Sequence, residues 1–323
     1  MTGELAVRIT STGLYAPSTV ETAEDLAPRI GKSAAWILER TGVARRHISD
    51  EPVERMAAAA ARQALGDVKP DLILYASSTP RQLVPDTSVF VQRELGIDGV
   101  ACHTIHATCL SFLVALHTAS ALIAVGAYRK VLIVSAEKGS LVRNFAEPES
   151  AALPGDGAAA ALVEPTRPGE SSKLLGYAIG MHTRAAEAAE VRGLGSHLPP
   201  GDPRSRPEDN LFHMNGTLLF RLALIHVGPL LDHLFTETKL EPRDVKLVIP
   251  HQPSGPGLAA LARWGFPPER VVNIIGEYGN CIAASMPMAL ATANAQGRIA
   301  RGDRLLFIGT GAGMSIGAAI LTW

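Results

Sequence analysis

Three side chains in this sequence combine a reactive type with a position at the end of a buried segment. Cys109 lies in HTIHATCLSFLVALHTASALIAVGAY, residues 103–128, where an extended segment changes to a long apolar helix pattern. His251 directly follows the apolar run VKLVIP, and Asn280 lies at a glycine-marked turn in GEYGNCIAASMPMAL. A cysteine can act as a nucleophile, and free backbone N–H groups at a helix start can stabilise an oxyanion.

Each of the three also has an ordinary structural interpretation. Cys109 could be an inert core cysteine, His251 a hydrogen-bonded structural histidine, and Asn280 a helix cap. The first helical turn predicts a thiolate with a lowered pKa for Cys109, because the N–H groups and the helix dipole favour negative charge. The occurrence of all three at corresponding strand ends favours catalysis.

The elements that position these residues alternate between strands and helices. The short apolar runs that read as strands are LAVRITSTG, DLILYAS, VACHTIHA, KVLIVSAEK, GAAAALVEP, LLGYAIGMH, VKLVIPHQ, VVNIIG, RLLFIGT and SIGAAILTW. The longer helical patterns between them are VERMAAAAARQALG, TSVFVQRELG, CLSFLVALHTASALIAVGAY, TLLFRLALIHVGPLLDHLF and AASMPMALATANAQG. This alternation predicts an α/β fold with helices on both faces of the sheets.

The order of these elements repeats once, which predicts two duplicated halves, residues 1–165 with the cysteine and 166–323 with the histidine and asparagine. The predicted break is EPTRPGESSK, where Pro, Gly, Ser and charge cluster. Asn280 would then begin the counterpart of the helix that Cys109 begins. Residues 183–210, rich in Pro, Gly and charge, form either a mobile cap over a site or a solvated insertion.

Composition excludes several classes of function. The 323 residues are 47% hydrophobic but only 5% aromatic, with 30 basic and 31 acidic residues, so nucleic-acid binding has no support. The apolar runs are interrupted by Gly, His or charge, which predicts no membrane span, and the first residues lack a signal pattern. With only 3 cysteines no disulfide framework is expected, and we predict a cytoplasmic protein.

The motifs ATC, PHQ, EYGNCIAASMPMAL and FIGTGAGMSIGAAIL, together with AAWILERTGVARRHI, LPGDGAAAALVE and HMNGTLLF, resemble the β-ketoacyl-acyl-carrier-protein synthase III branch of the thiolase superfamily. The resemblance implies a five-layer α-β-α-β-α thiolase fold, a homodimer, and a Cys-His-Asn set at Cys109, His251 and Asn280. It implies acylation of Cys109 from a coenzyme A or acyl-carrier-protein thioester. Decarboxylative Claisen condensation with a malonyl-type or β-ketoacyl thioester on acyl carrier protein or coenzyme A follows, without a metal or other cofactor.

The resemblance also assigns binding roles. The N–H groups of Cys109 and Ala312 would hold the oxyanion, and Trp36 and Arg40 would line the entrance for the coenzyme A or phosphopantetheine arm. The further residues that it places at the substrate are Leu110, Met214, Asn215, Gly216, Gly311 and Gly313.

Some positions depart from the family pattern. Pro148 and Glu149 stand where an adenine-binding arginine is usual, no basic residue follows PHQ, and Leu110 follows the nucleophile where a small residue is common. These departures predict a member from specialised metabolism.

Alternatives remain open. Acyl transfer to an oxygen or nitrogen acceptor, thioester hydrolysis, and a non-catalytic partner of another synthase all fit the motifs. A zinc site in CHTIHATC is disfavoured, because alternate residues of a strand face opposite sides.

Overall fold

The computed structural model describes residues 3–323, and alternating strands and helices follow one another along them. The strands are β1 (Val7–Tyr15), β2 (Thr19–Thr22), β3 (Arg45–Ile48), β4 (Leu72–Ala76), β5 (Ala101–Ile105), β6 (Val131–Lys138), β7 (Asp156–Pro165), β8 (Lys173–Met181), β9 (Ala189–Glu190), β10 (His213–Met214), β11 (Leu247–Pro250), β12 (Arg304–Gly311) and β13 (Ser315–Thr322). The α-helices are α1 (Ala23–Ile30), α2 (Ala34–Thr41), α3 (Val53–Leu65), α4 (Thr87–Glu94), α5 (Ser111–Ala124), α6 (Pro148–Ala152), α7 (Gly216–Thr238), α8 (Gly255–Ala259), α9 (Ile275–Tyr278) and α10 (Ser285–Ala295).

Two large sheets have corresponding strand orders. The first runs β1-β7-β6-β4-β5, and the second runs β8-β13-β12-β11 when it is read from the matching edge. In each sheet the strands that carry the two reactive loops, β5 and β11, pair in parallel with a neighbour, whereas the pairs β1–β7 and β8–β13 are antiparallel. The repeated order confirms the predicted duplication of the fold.

The predicted strand VVNIIG is wrong. Only Val271 forms a bridge, to Val248 of β11, and the chain enters α9 at Ile275. The side-chain amide of Gln252 donates to the carbonyl of Val272 and accepts from the N–H of Ile274. These backbone groups are therefore satisfied by a side chain and not by a strand ladder.

Five layers result from the way helices cover the sheets. Helix α3 packs on the outer face of the first sheet, α5 and α10 lie between the sheets, and α7 packs on the outer face of the second sheet against β8 and β13. Helix α5 is apolar around most of its circumference because sheet residues contact it from both sides. The two central helices, α5 and α10, follow the segments that contain Cys109 and Asn280.

Helix α7 departs from the expectation drawn from composition. Its C-terminal part buries Val227, Leu231 and Leu234, while Phe220 and Ile225 are exposed. With 23 residues it is long and apolar enough to cross a membrane by length and composition alone, a test that core helices of soluble proteins also pass. Its sequence is interrupted by Arg221, His226 and Asp232, as expected, yet the helix as a whole passes this test.

Residues 183–210 contain a 3-10 helix at Thr183–Ala188, strand β9 and a second 3-10 helix at Pro207–Asn210. Strand β9 pairs with β10, and the N–H of Gly193 donates to the carbonyl of Asp209. Their role as a cap stays a prediction. The division at 165/166, which falls between β7 and β8, also stays a prediction. Helix α10 of the predicted second half packs on β1 and β7 of the first, so the two halves are not separate in space.

Candidate functional site

The cysteine turn is held in an uncommon backbone conformation. Thr108, which precedes Cys109, has a φ of 50°. The hydroxyl of Ser111 accepts from the N–H of Ala107 at 3.0 Å and donates to the carbonyl of Thr108 at 2.6 Å. The turn between β5 and α5 is thus fixed on both sides of Cys109, and a strained non-glycine residue at such a position is a common mark of a functional site.

The glycine-rich turn between β12 and β13 lies against the cysteine. The N–H of Ala312 and the N–H of Cys109 both point to the Cys109 sulfur, and each lowers its pKa. The hydroxyl of Thr108 donates to the carbonyl of Ala312 at 3.3 Å, which joins the two loops. Two backbone donors therefore converge where the resemblance places an oxyanion hole.

The pKa of Cys109 differs from the expectation. Cys109 keeps partial exposure, yet the protein atoms packed around the sulfur desolvate it and raise its pKa to about 12, with a smaller contribution from the buried carboxyl of Glu137. The prediction of a lowered pKa is therefore wrong for the free site. Burial outweighs the nearby N–H groups, so the resting group is a thiol.

His251 follows β11 and is almost fully buried, at 3% exposure. Its N–H donates to the carbonyl of Ile308 on β12 at 2.8 Å, and its Nδ1 lies 2.7 Å from the hydroxyl of Ser285, the first residue of α10. Burial lowers the pKa of His251 to about 4, so the imidazole is neutral at pH 7. With Nδ1 occupied by Ser285, Nε2 is the nitrogen left for a substrate.

Asn280 is held by the segment that follows α6. Its N–H donates to the carbonyl of Leu153 at 2.8 Å, and its carbonyl accepts from Gly155 at 3.1 Å. The side-chain Oδ1 accepts from the N–H of Ile282 at 2.9 Å, whereas Nδ2 has only a long contact of 3.5 Å to the carbonyl of Pro253. The amide therefore presents N–H groups, which suits a hydrogen-bond donor.

The close approach of the Asn280 loop to residues 153–155 requires glycine. A Cβ on Gly155 would lie 2.1 Å from the carbonyl oxygen of Tyr278. The first glycine of the LPGDG motif is therefore required by packing, since any side chain at Gly155 would push the two loops apart.

A chain of contacts joins the histidine to the cysteine turn. A Cβ on Gly309 of β12 would lie 2.7 Å from the Cβ of His251 and 2.9 Å from Cδ2 of Leu110. Leu110 is fully buried and fills the space that Gly309 and Gly317 leave open. Its large side chain, noted as a departure, is thus accommodated by two glycines in the second sheet, and its predicted contact with substrate stays a prediction.

Arg40 and Trp36 lie on α2, which packs against α6. The Arg40 Nε lies 2.5 Å from Oε1 of Glu149, and Trp36 is half-buried with the Lys32 ammonium 5.3 Å from its ring centroid. Glu149, which sequence reasoning noted only as a departure, therefore neutralises the arginine that was predicted to contact phosphate.

Glu149 also borders the HMNGTLLF segment. Its Oε2 would be 3.2 Å from a Cβ on Gly216, with the methyl group of Met214 beside it. Asn215 accepts the N–H of Leu218 through its side chain and so caps α7. The cap gives Asn215 a structural role; its predicted role in substrate binding, like that of Met214 and Gly216, stays a prediction.

Sequence reasoning did not single out Ser285 or Gln252. Both are buried partners of the histidine segment, and Gln252 is the last letter of the PHQ motif, which was the available signal for it. Ser285 gave no such signal, because its contact with His251 spans 34 residues of chain.

Within residues 3–323 no group of three or more His, Cys, Asp or Glu side chains is placed to hold a metal ion. Cys102 receives a hydrogen bond from the amide of Gln92 at 3.2 Å, so the CHTIHATC stretch is partly engaged in packing contacts.

Comparison with known families gives two matches along the chain. The 3-oxoacyl-[acyl-carrier-protein (ACP)] synthase III family model matches residues 104–182, and the C-terminal model of the same family matches residues 235–323. The first match contains Cys109 and the second contains His251, Asn280 and Ala312.

Individual relatives and solved structures match this chain over nearly its full length. The β-ketoacyl-[acyl-carrier-protein] synthase III of Desulfitobacterium hafniense is 33% identical over 99% of this chain and 98% of its own. The crystal structure of 3-oxoacyl-[acyl-carrier-protein] synthase III from Aquifex aeolicus superposes with a TM-score of 0.89 at 32% identity, covering 98% of this chain and 100% of that one. A priming β-ketosynthase from a polyketide biosynthetic pathway superposes with a TM-score of 0.88 at 27% identity over 99% and 97%.

Proposed function

The chain belongs to the 3-oxoacyl-[acyl-carrier-protein] synthase III family, and on that premise we propose that it condenses a Cys109-bound acyl group with a malonyl-type thioester. The observation that carries the proposal is the convergence of the Ala312 and Cys109 N–H groups on the Cys109 sulfur. Donors that point to the nucleophile would lie beside the substrate oxygen on which the charge of a tetrahedral intermediate develops.

The loading step uses the Cys109 thiol. Its sulfur attacks the carbonyl carbon of an acyl thioester, and the N–H groups of Cys109 and Ala312 hold the resulting oxyanion. Collapse of the intermediate breaks the bond to the carrier sulfur. The proton that Cys109 loses leaves with the carrier thiol, so that no net charge remains in the buried site.

The condensing step uses His251 and Asn280. Both donate hydrogen bonds to the thioester oxygen of the malonyl-type substrate and stabilise the enolate that forms as CO2 departs. The enolate carbon attacks the acyl carbonyl on Cys109, and the cysteine thiolate is expelled and takes a proton from solvent. The product is a β-ketoacyl thioester.

The substrates are acyl-coenzyme A or acyl-carrier-protein thioesters, and the reaction as written needs no metal or redox cofactor. Trp36 and Arg40 would contact the phosphopantetheine arm near Met214, Asn215 and Gly216. Gly311 and Gly313 flank Ala312, and their lack of side chains would keep the Ala312 N–H accessible to the substrate oxygen. We place the reaction in the cytoplasm.

We also propose a homodimer. Strand β5 is one of the two edge strands of the first sheet, and Leu83 and Val84, in the segment between β4 and α4, are 78% and 81% exposed. An exposed strand edge beside exposed apolar side chains is a surface that a second copy can cover. Light scattering coupled to size-exclusion chromatography should give twice the chain mass, and a single-chain mass would refute the dimer.

The function is tested by incubating the protein with acyl donors and malonyl-carrier protein and measuring CO2 and the thioester product. Asn280→Ala should retain acylation of Cys109 and lose about 100-fold in condensation, since one donor to the enolate is removed. Transfer to a hydroxyl or amine acceptor without CO2 release would instead assign heteroatom acylation, and release of free acid would assign hydrolysis.

A further inference from the structure

We propose that the hydroxyl of Ser285 keeps the proton of the neutral His251 imidazole on Nε2, and that the condensing step requires this tautomer. The inference rests on the proposed function, because it concerns which hydrogen bond His251 can offer to the malonyl thioester. Ser285 is thus a positioning residue that acts through the histidine.

Three groups surround the Ser285 oxygen. Nδ1 of His251 lies at 2.7 Å, the carbonyl oxygen of Ile282 at 2.8 Å, and the N–H of Gln252 at 3.2 Å. The Gln252 N–H can only donate, so it uses one lone pair of the hydroxyl. The single hydroxyl proton is then left with two possible acceptors, Nδ1 and the carbonyl.

The two choices have opposite consequences at Nε2. If the hydroxyl donates to Ile282, Nδ1 must be protonated to bond the serine oxygen, and Nε2 presents a lone pair. If the hydroxyl donates to Nδ1, the proton of the neutral ring is on Nε2. The neutral state itself is secured by burial, since His251 is 3% exposed and its pKa is lowered to about 4.

Only the second arrangement serves the condensing step. A lone pair on Nε2 would repel the enolate oxygen, whereas an Nε2–H stabilises it beside the Asn280 amide. Without the hydroxyl, the Ile282 carbonyl, which lies 2.8 Å from the Ser285 oxygen and within hydrogen-bonding reach of the imidazole, can accept from Nδ1–H. Removal of the hydroxyl should therefore move the proton to Nδ1.

The test compares Ser285→Ala with Ser120→Ala. Ser120 is a matched control, because it is fully buried in α5 and its hydroxyl bonds only the Leu116 carbonyl, at 2.7 Å. Nitrogen-15 NMR of histidine-labelled protein reports the tautomer directly, and the His251 signals are identified by their loss in His251→Gln. Acylation of Cys109 and condensation with malonyl-carrier protein are timed separately.

We expect wild type and Ser120→Ala to show Nε2–H, and Ser285→Ala to show Nδ1–H. Condensation by Ser285→Ala should fall about 100-fold while acylation changes less than about threefold. An unchanged tautomer in Ser285→Ala, or an equal loss in both half-reactions, would overturn the inference. Failure of wild type to become acylated would instead refute the proposed function.

Discussion

At the scale of single residues, Cys109 and His251 both rest in their neutral forms. Burial raises the pKa of the thiol to about 12 and lowers that of the imidazole to about 4. A neutral pair avoids the cost of separating charge in a desolvated pocket before substrate arrives. Charge then develops only when an acyl carbonyl occupies the site.

Alkylation of Cys109 by iodoacetamide should therefore lack a plateau near neutral pH. The thiolate fraction grows about tenfold per pH unit below the pKa, so the rate should keep rising from pH 7 to pH 10. Peptide mass spectrometry separates Cys109 from Cys102 and Cys281, with Cys109→Ser as the control. A rate that levels off near pH 7 would show that the helix start stabilises the thiolate after all.

The Arg40–Glu149 ion pair should affect the choice of acyl donor if Arg40 lines the predicted entrance. The two side chains are 50% and 34% exposed, so the pair is partly screened, yet it occupies the guanidinium that a nucleotide phosphate would need. A carrier-protein donor, which lacks the nucleotide, is less affected.

Glu149→Gln should raise kcat/KM for an acyl-coenzyme A about three- to fivefold relative to the same acyl-pantetheine, since Arg40 is released for phosphate. Glu39→Gln removes the same charge from α2 without breaking the pair and should leave the ratio unchanged. If the ratio of kcat/KM for the two donors is the same in wild type and Glu149→Gln, Arg40 does not determine the choice of donor.

The sequence singled out Cys109 and His251 at the ends of apolar segments and Asn280 at a glycine-marked turn, and their catalytic roles stay predictions. It could not predict the pKa of Cys109, which depends on atoms packed around the sulfur. Nor could it show that Glu149 pairs with Arg40, because these residues are 109 positions apart.

At the scale of elements, strand β12 leaves room for His251 because residue 309 is a glycine. Gly309 lies between His251 and Leu110, where a Cβ would contact both below 3.0 Å. Most predicted strands and helices are confirmed, since their apolar runs were long. The exception is VVNIIG, where the Gln252 side chain bonds the Val272 carbonyl and the Ile274 N–H in place of a neighbouring strand. Hydrophobic periodicity does not reveal such a side-chain contact.

Gly309→Ala should destabilise the fold by about 1–3 kcal/mol and slow condensation more than acylation, because the added methyl displaces His251. Gly180→Ala in β8 is the matched control, since nothing lies within 4 Å of its Cβ position. Urea unfolding and the two half-reactions measure the effects. Equal behaviour of the two variants would mean that β12 tolerates the methyl.

At the scale of the whole molecule, the two sheets share one central layer of helices. Because His251 is buried beside this layer, its protonation should affect the free energy of unfolding of the whole fold. His251 changes its pKa from 6.5 in the unfolded chain to about 4 in the fold. The unfolded state therefore binds more protons in this window, and stability is lost as pH falls through it.

Wild type should lose about 3 kcal/mol of unfolding free energy between pH 6.5 and pH 4 that His251→Gln does not lose. The measurement is denaturant unfolding of both proteins at several pH values, with the difference curve isolating the histidine. Parallel curves would show that His251 has the same pKa in the folded and unfolded states, which contradicts the lowered pKa.

The central claim is that Cys109 carries the acyl group, and intact-protein mass spectrometry tests it most directly. After incubation with a panel of acyl-coenzyme A and acyl-carrier-protein donors, wild type should gain the mass of one acyl group per chain and Cys109→Ala should gain none. Malonyl-carrier protein should then remove the adduct with release of CO2. An equal adduct on Cys109→Ala would contradict the account.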